Sequence, residues 1–292
     1  MGEKRSRSFY VLAAFFTAYV LFLYGPMFAI YILSFQGPDG GLTFPMNGVS
    51  LQWFSKVFSG TGIVDIGAAF KRSLELGLVV MVLTVVLSVS AGMAFRKSFR
   101  GATFLFYVAI ASLIMPSIIT SLGIALEFRL LDDFIIKNSA EGWTTAMGLF
   151  TSGLGAHLTW TLPFGLLIMF AIFNRFDGRL EEAARDLGAT PWQTFRHVVL
   201  PIILPSVVGI GLFGFTLSWD ELARSSQAIG SVNTLPLELQ GLTTTVTKPD
   251  IYALGTLTSA VSFLVIFSAL VVILVLQARQ RRHGSDAGKG MV

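Results

Sequence analysis

The sequence has no cysteine and few charged residues. Only 13% of its 292 residues are Asp, Glu, Lys or Arg, about half the share typical of soluble domains. The absence of Cys excludes disulfides, thiolate metal sites and cysteine nucleophiles. The chain also lacks G-x-x-x-x-G-K-[ST], so it has no P-loop to hold nucleotide phosphates, and it lacks the catalytic patterns H-E-x-x-H and G-x-S-x-G. A soluble enzyme is therefore not expected, and a membrane-embedded enzyme is a distant alternative.

Long apolar runs take the place of the missing charge, since hydrophobic residues make up 53% of the chain. Six stretches can each cross a hydrocarbon core of about 30 Å, which takes about 20 residues. They cover roughly 9–35, 73–95, 102–126, 143–173, 198–219 and 251–278. The first is too long for the apolar part of a signal peptide, so we interpret it as a retained anchor. Pro116 is expected to kink the third. We predict an all-α membrane protein with six transmembrane helices.

Lys and Arg lie mostly on one side of these predicted spans. The N-terminus, the 96–101 loop, the 174–197 loop and the tail together carry most of the 21 basic residues. Because cytoplasmic loops are enriched in Lys and Arg, both termini are expected in the cytoplasm. The same topology explains the net charge of +4, so we expect a lipid bilayer around the chain and no nucleic-acid partner.

No linker divides the chain into separate globular domains. We predict a cytoplasmic N-terminus at 1–8, a first transmembrane helix at 9–35 and a core of five transmembrane helices at 70–278. The remaining tail, 279–292, is expected to be disordered because it is short, polar and rich in Gly.

A polar segment, 178–201, separates the fourth and fifth spans and carries signals for two short helices. Asp177 can cap the first helix, and Gly188 stands where a helix end favours a left-handed residue. Thr190 and Gln193 have the spacing of a capping box, which predicts a second helix. The predicted result is a helix–Gly–helix elbow that joins the fifth span.

The entry to the fifth span is expected to bend, because neither Pro201 nor Pro205 can donate a backbone hydrogen bond. A bent, stiff connection suits the transmission of motion from a soluble partner to a transmembrane helix. On physical grounds alone, the segment is equally well an amphipathic connector that rests on lipid headgroups, with Trp192 and Phe195 as interface anchors.

The spacing within this segment resembles the "EAA" loop of ATP-binding-cassette (ABC) importer permeases. That loop has the pattern EAA, three residues, Gly, nine residues and I-x-L-P. This chain has Glu182-Ala183-Ala184, three residues, Gly188, nine residues and Val198-Val199-Leu200-Pro201. Only Val198 departs from the pattern. The resemblance extends over about 70–278 and implies a type I ABC importer permease fold, with a coupling helix at 189–197 between spans four and five.

The resemblance also implies partners for the chain. Two cytoplasmic ABC ATPases would bind ATP and Mg²⁺, so no cofactor is expected in this chain. A related but different second permease and a periplasmic solute-binding protein would complete an importer in a bacterial inner membrane. The residues expected to couple this chain to the ATPases are Glu182, Ala183, Ala184, Gly188, Ala189, Thr190, Pro191, Trp192, Phe195 and Pro201.

Four residues are candidates for the substrate path. Trp219, Asp220 and Glu221 end the fifth span, and carboxylates beside an aromatic ring suit an amine cation. The alternative is that the acids mark the outer boundary, solvated or paired with Arg224. His157 lies in the fourth span. This histidine can face a polar cavity. The commoner case is a histidine that is hydrogen-bonded between helices.

The stretches "FTLSWDELARSS" and "SVNTLPLELQGL" resemble the spermidine/putrescine branch of these permeases. That branch has S-L-D-D where this chain has S-W-D-E. Trp219 therefore stands in place of the Leu, and Glu221 in place of the second Asp. The resemblance implies a polyamine or a similar organic cation as the transported solute. Another solute stays open: a thiamine-like compound, an opine, a metal complex or an anion. A channel or secondary carrier would need charge rings or buried coupling-ion residues, which the spans nearly lack.

Overall fold

The computed structural model describes residues 6–39, 41–59, 65–138, 142–245 and 249–287. The helices in chain order are α1 (Arg7–Leu33), α2 (Gln52–Phe58), α3 (Ile66–Phe95), α4 (Ala102–Ala111), α5 (Ser117–Asn138), α6 (Leu154–Phe173), α7 (Arg179–Asp186), α8 (Pro191–Thr194), α9 (Leu200–Trp219), α10 (Ser225–Ala228), α11 (Leu235–Thr245) and α12 (Pro249–Ala287). Two π-helical turns, Leu149–Gly153 and Phe195–Val199, run directly into α6 and α9. In these described ranges helices are joined by loops and turns, and the one other regular feature is an isolated bridge between Gln36 and Val49.

Five helical stretches in the described part of the chain are long and apolar enough to cross a membrane. They are Arg7–Leu33, Ile66–Phe95, Leu149–Phe173, Pro191–Trp219 and Pro249–Val275. The all-α membrane fold is therefore as predicted, but the span expected at 102–126 is not one helix. A turn divides it into α4 and α5 just before Ser117. Pro116 causes the division, because it cannot donate to the carbonyl of Ser112.

Two boundaries also differ from the expected ones. The fifth span was expected to begin near 198, but an unbroken helical run covers Pro191–Trp219. The tail was expected to be disordered from 279, but α12 continues to Ala287. Residues 1–5 and 288–292, which belong to the predicted N-terminus and tail, lie outside the described residues.

The chain separates into two units, and the first comprises Met1–Gly67 and Leu239–Val261. Most apolar side chains of α1 are exposed in the isolated chain, as expected for a helix that contacts lipid. After α1, the chain folds around the buried side chain of Gln36. The Gln36 amide nitrogen donates to the carbonyl of Gly41 (2.7 Å), and its oxygen accepts from the amide of Asn47 (2.8 Å).

The second unit comprises Ala68–Glu238 and Ser262–Val292, and in it α3, α6 and α9 pack through small residues. A Cβ placed on Gly165 of α6 would collide with Ser88 of α3, and one on Gly214 of α9 would lie 3.2 Å from Cβ of Thr84. The hydroxyls of Thr84 and Thr161 are hydrogen-bonded at 2.7 Å between α3 and α6. Close approach and interhelical hydrogen bonds hold helices together in lipid, where apolar burial between helices contributes little.

Candidate functional site

The corner of the elbow lies at Gly188, at the end of α7. Gly188 has φ of +84°, a left-handed conformation that other residues adopt only with strain. Its amide donates to the carbonyl of Arg185 (2.8 Å), and the amide of Ala189 donates to the carbonyl of Ala184 (3.0 Å). This pair of bonds is a Schellman motif, which satisfies carbonyls that a helix end leaves open. The sequence signal for a helix end at Gly188 is confirmed.

The helix after the corner begins with the predicted capping box. The Thr190 hydroxyl accepts from the amide of Gln193 (3.3 Å), and the Thr190 amide donates to the side-chain oxygen of Gln193 (2.8 Å). Pro191 occupies the first helical position, where its missing N–H costs nothing. The second helix of the elbow is therefore fixed at its start by residues close together in sequence.

The helix that begins at Pro191 does not end before the fifth span. It passes through the π-helical turn Phe195–Val199 into α9. A proline in an α-helix removes one hydrogen bond and crowds the carbonyl four residues earlier. The π turn, with its longer hydrogen-bond spacing, lies directly before Pro201 and accommodates it. The elbow thus has its sharp corner at Gly188, and the connection to α9 is continuous.

One face of the elbow presents apolar side chains and a pocket. Trp192 is 65% exposed and stacks on Phe195 with ring centroids 5.7 Å apart. Leu187, at the corner, is 90% exposed. A pocket of about 370 Å³ lies beside Leu187, with walls that include Ala184, Gly188, Gln193, His197 and Val198. Exposed apolar side chains around a concave surface are typical of a protein-docking site.

The other face of α7 is held by an ion pair that sequence reasoning did not identify. Glu181 is buried, and its carboxylate accepts from Arg96 Nη1 at 2.6 Å and from Arg185 Nη2 at 3.4 Å. The Arg96 guanidinium also lies 4.9 Å from the ring centroids of Phe173 and Phe176. Glu182, one of the residues expected to couple the chain to the ATPases, is exposed. No sequence pattern links Arg96 to a carboxylate 85 residues away.

Trp219 and the two acids at the end of α9 do not form one cluster. Trp219 is buried, stacks on Phe215 (5.6 Å) and meets Phe70 edge-on (5.4 Å). Glu221 turns inward, where its carboxylate accepts from the amide of Arg224 at 2.8 Å and lies 3.9 Å from the Arg224 guanidinium. Asp220 remains exposed. Of the predicted pair of acids, Asp220 alone is available to a solute.

Arg224 is fully buried at the centre of a polar cluster. Its Nη1 donates to the Ser117 hydroxyl (2.8 Å), its Nε to the Thr159 hydroxyl (3.3 Å) and its Nη2 to the Ser112 carbonyl (3.4 Å). The guanidinium carbon lies 4.5 Å from the ring centroid of Trp160. The sequence offered Arg224 as an ion-pair partner of the two acids, which holds for Glu221, and the fold also makes it the link between α6 and the turn that divides α4 from α5.

His157 is buried with both ring nitrogens occupied. Nδ1 lies 2.8 Å from the Ser218 hydroxyl, and Nε2 lies 2.9 Å from the Ser225 hydroxyl. Ser225 donates its only hydroxyl hydrogen to the carbonyl of Glu221 (2.7 Å), so it must accept from His157. We therefore assign the hydrogen to Nε2, and Ser218 donates to Nδ1. His157 thus joins α6 to the end of α9 as a hydrogen-bonded histidine between helices.

The chain is similar to proteins of known families. Residues 84–284 match the model of the family described as binding-protein-dependent transport system inner membrane component. The spermidine/putrescine transport system permease protein PotC of Haemophilus influenzae is 30% identical over 276 residues, which cover 94% of this chain and 99% of PotC. The putrescine transport system permease protein PotI of Escherichia coli is 30% identical over 239 residues, which cover 81% of each chain.

Solved structures show the same fold. A bacterial ABC transporter that imports the acidic polysaccharide alginate aligns with a TM-score of 0.63 over 94% of each chain, at 15% identity. The inward-facing MetNI methionine ABC transporter aligns with a TM-score of 0.55 at 18% identity, over 72% of this chain and 95% of that one. The chain belongs to the family of inner membrane components of binding-protein-dependent transport systems, and it is an ABC importer permease subunit rather than an enzyme.

Proposed function

We propose that this permease imports a polyamine or a similar organic cation across a bacterial inner membrane, with both termini in the cytoplasm. Relatives named as spermidine/putrescine and putrescine permeases support the cargo. The observation that carries the proposal is the position of Asp220, an exposed carboxylate at the end of α9. The excess of Lys and Arg on one side of the spans supports the orientation.

The elbow is the part of this chain that moves when the partner ATPases bind and hydrolyse ATP. Two ABC ATPases in the cytoplasm bind ATP and Mg²⁺, and one of them docks on the coupling helix of this chain, which begins at Pro191. In this chain Trp192 and Leu187 enter the ATPase surface, because both are exposed apolar residues of the elbow and Leu187 lines the pocket at Gly188. Movement of this helix passes to α9 because the helical run is continuous. The resulting rigid-body rotation alternates access to the path.

The cargo meets Asp220 as it leaves the binding protein. An ammonium group is attracted most strongly by a carboxylate that is not already paired with a cation of the protein. Glu221 is paired with Arg224, whereas Asp220 has no ion-pair partner among the described residues. Trp219 and His157 are both buried, so they pack behind the side chains that face the path. The outcome is a single negative charge at the outer end of α9 that favours cations over anions.

Two further partners complete the importer. A related second permease forms the other half of the path, and a periplasmic solute-binding protein delivers the cargo. The alginate transporter has been solved in complex with an alginate pentasaccharide-bound periplasmic protein, and this chain aligns with it over 94% of its length. That complex supports the same kind of partner for this permease.

Transport by reconstituted vesicles tests the cargo. Complete complexes would be assayed for ATP hydrolysis and uptake with putrescine, spermidine, thiamine, an opine and a simple anion. We expect polyamines to stimulate both, and Asp220→Asn to raise the half-saturating polyamine concentration about tenfold, the loss of ~1.4 kcal/mol. Asp133→Asn, another exposed acid, is the control. Stimulation by an unrelated solute, with Asp220→Asn unchanged, would overturn the cargo and leave the importer.

A second variant tests the elbow. Trp192→Ala should reduce solute-stimulated hydrolysis and uptake together, because the ATPases lose their hold on the coupling helix. Phe99→Ala removes an aromatic ring that is 42% exposed outside the elbow, and it should have no effect. Normal coupling in Trp192→Ala would show that the exposed face of the elbow is an anchor in lipid headgroups rather than a docking surface.

A further inference from the structure

A second pocket lies against another part of the coupling helix, next to the pocket at Leu187, and Thr194 lines both. Its volume is about 450 Å³, and it lies between the end of α3 and the two helices of the elbow. Three basic side chains line it, Arg96, Lys97 and Arg185, together with the carboxylate of Glu181. Pro191 and Phe195 of the coupling segment also line it, but the transport mechanism proposed above assigns no role to its basic side chains.

The charges around this pocket do not balance. Glu181 is the only acid that lines it, and both Arg96 and Arg185 already contact its carboxylate. Lys97 is exposed and has no ion-pair partner among the described residues. The lining therefore carries an excess of two positive charges. An anion with several acceptor oxygens is the natural occupant, because it can accept from guanidinium and ammonium groups at once.

One of the three cations is held rigidly. Arg96 bonds to Glu181 at 2.6 Å, and its guanidinium lies against the rings of Phe173 and Phe176. Its conformation is thus set before any ligand arrives, which lowers the entropy cost of binding. Lys97 and Arg185 are exposed enough to move toward an incoming anion.

The position along the chain places the pocket at the level of lipid phosphates. The apolar run of α3 ends at Phe95, immediately before Arg96 and Lys97. Met93 and Val199 add apolar wall on the membrane side. Basic pockets at the ends of transmembrane helices bind anionic headgroups, because the phosphate meets the cations while the glycerol and acyl chains stay beside apolar side chains.

We propose that this pocket binds the phosphate group of an anionic phospholipid such as phosphatidylglycerol. Lys97 and Arg185 contact the phosphate oxygens, and Arg96 forms the fixed part of the site. Trp192 and Leu187 lie outside the pocket, whereas Pro191 and Phe195 line it, so the bound lipid lies next to the surface on which the ATPase docks. The bound lipid braces α7 against the end of α3. The inference does not depend on the cargo or on the roles proposed for Asp220 and Trp192.

Lipid retention by the purified complex tests the site. The intact transporter would be exchanged into detergent with equal amounts of phosphatidylglycerol and phosphatidylcholine, and bound lipid would be counted by native mass spectrometry. Wild-type protein should retain phosphatidylglycerol preferentially. The Lys97→Gln/Arg185→Gln variant should retain at least fivefold less. Arg100→Gln/Arg179→Gln removes the same charge from nearby exposed positions and should retain as much as wild type.

Two further measurements separate the possible outcomes. Lys97→Gln alone keeps every ion pair of Glu181, so a loss in this variant is not a folding defect. Inorganic phosphate at millimolar concentration should displace the lipid only weakly. Equal losses in both double variants, or no preference for phosphatidylglycerol, would overturn the proposal. Strong retention of inorganic phosphate without lipid preference would overturn the assignment to lipid and identify a free-anion site.

Discussion

The guanidinium of Arg224 donates a hydrogen bond of 2.8 Å to the hydroxyl of Ser117, the first residue of α5. A second contact joins the same guanidinium to the carbonyl of Ser112 at 3.4 Å. In a continuous α-helix that carbonyl would accept from residue 116, which is a proline without an N–H. Arg224 therefore replaces bonds that the divided third span has lost, and broken helices in membranes need such replacements.

The first prediction concerns Arg224→Lys. A single ammonium group cannot reach Ser117, Thr159 and the Ser112 carbonyl together, so buried polar groups lose partners. We expect the complex to lose about 2 kcal/mol of stability, seen as a lower midpoint of thermal unfolding in detergent. Arg72→Lys is the control, because Arg72 makes one exposed bond to the carbonyl of Asn233. Equal midpoints for the two variants would contradict the structural role of Arg224.

The second prediction separates two neighbouring acids in α7. Glu181→Gln removes the charge that holds Arg96, which is largely buried at 20% side-chain exposure, and we expect a lower unfolding midpoint. Glu182→Gln changes an exposed side chain without an ion-pair partner among the described residues, so stability should stay unchanged. If Glu182 faces the ATPase, its variant should instead lower solute-stimulated ATP hydrolysis. A reversed pattern, with Glu182→Gln the less stable, would refute this division of roles.

The third prediction concerns the corner of the elbow. Gly188→Ala forces a Cβ into a conformation with φ of +84°, at a cost of roughly 1–2 kcal/mol. Space is not the cause, because no other atom lies within 4 Å of the added Cβ. Gly178→Ala, ten residues earlier, also meets open space but has φ of −62°. We expect reduced coupling between ATP hydrolysis and uptake for Gly188→Ala and normal coupling for Gly178→Ala.

Sequence reasoning succeeded where the interacting residues are close together in the chain. The capping box of Thr190 and Gln193 and the turn at Gly188 each depend on positions a few residues apart, so propensity and spacing predict them. Of the six spans that the apolar runs predicted, five are helices of spanning length, because lipid imposes that length on any helix that crosses it, and the one at 102–126 is divided.

The polar contacts between distant buried residues could not be predicted from the sequence. Arg96 and Glu181 lie 85 residues apart, and Arg224 and Ser117 lie 107 apart. Nothing local distinguishes Glu181 from Glu182, and only helix packing decides which of them is buried. Pro116 predicted a kink in the third span, but a complete division also depends on a distant arginine that supplies the missing bonds.

The fourth prediction concerns Asp132, near the end of α5. Its carboxylate accepts from the Thr145 hydroxyl (2.5 Å), the Ala146 amide (2.6 Å) and the Trp143 indole (3.0 Å). These bonds fasten the 142–148 segment to α5. Donation by the Thr145 hydroxyl lowers the pKa of Asp132 below its ordinary value, because it stabilises the charged form.

The sign of the pH dependence follows from this direction. A carboxyl whose pKa is lower in the folded than in the unfolded protein stabilises the fold above the unfolded value, about 3.9. The stabilisation is lost as the pH falls through the lower, folded value. Asp132→Asn should therefore lower the unfolding midpoint near pH 7, and its difference from wild type should shrink below about pH 4. Asp133→Asn, an exposed neighbour, should match wild type throughout. A difference for Asp132→Asn that grew on acidification would mean that the carboxylate is not the form this loop requires.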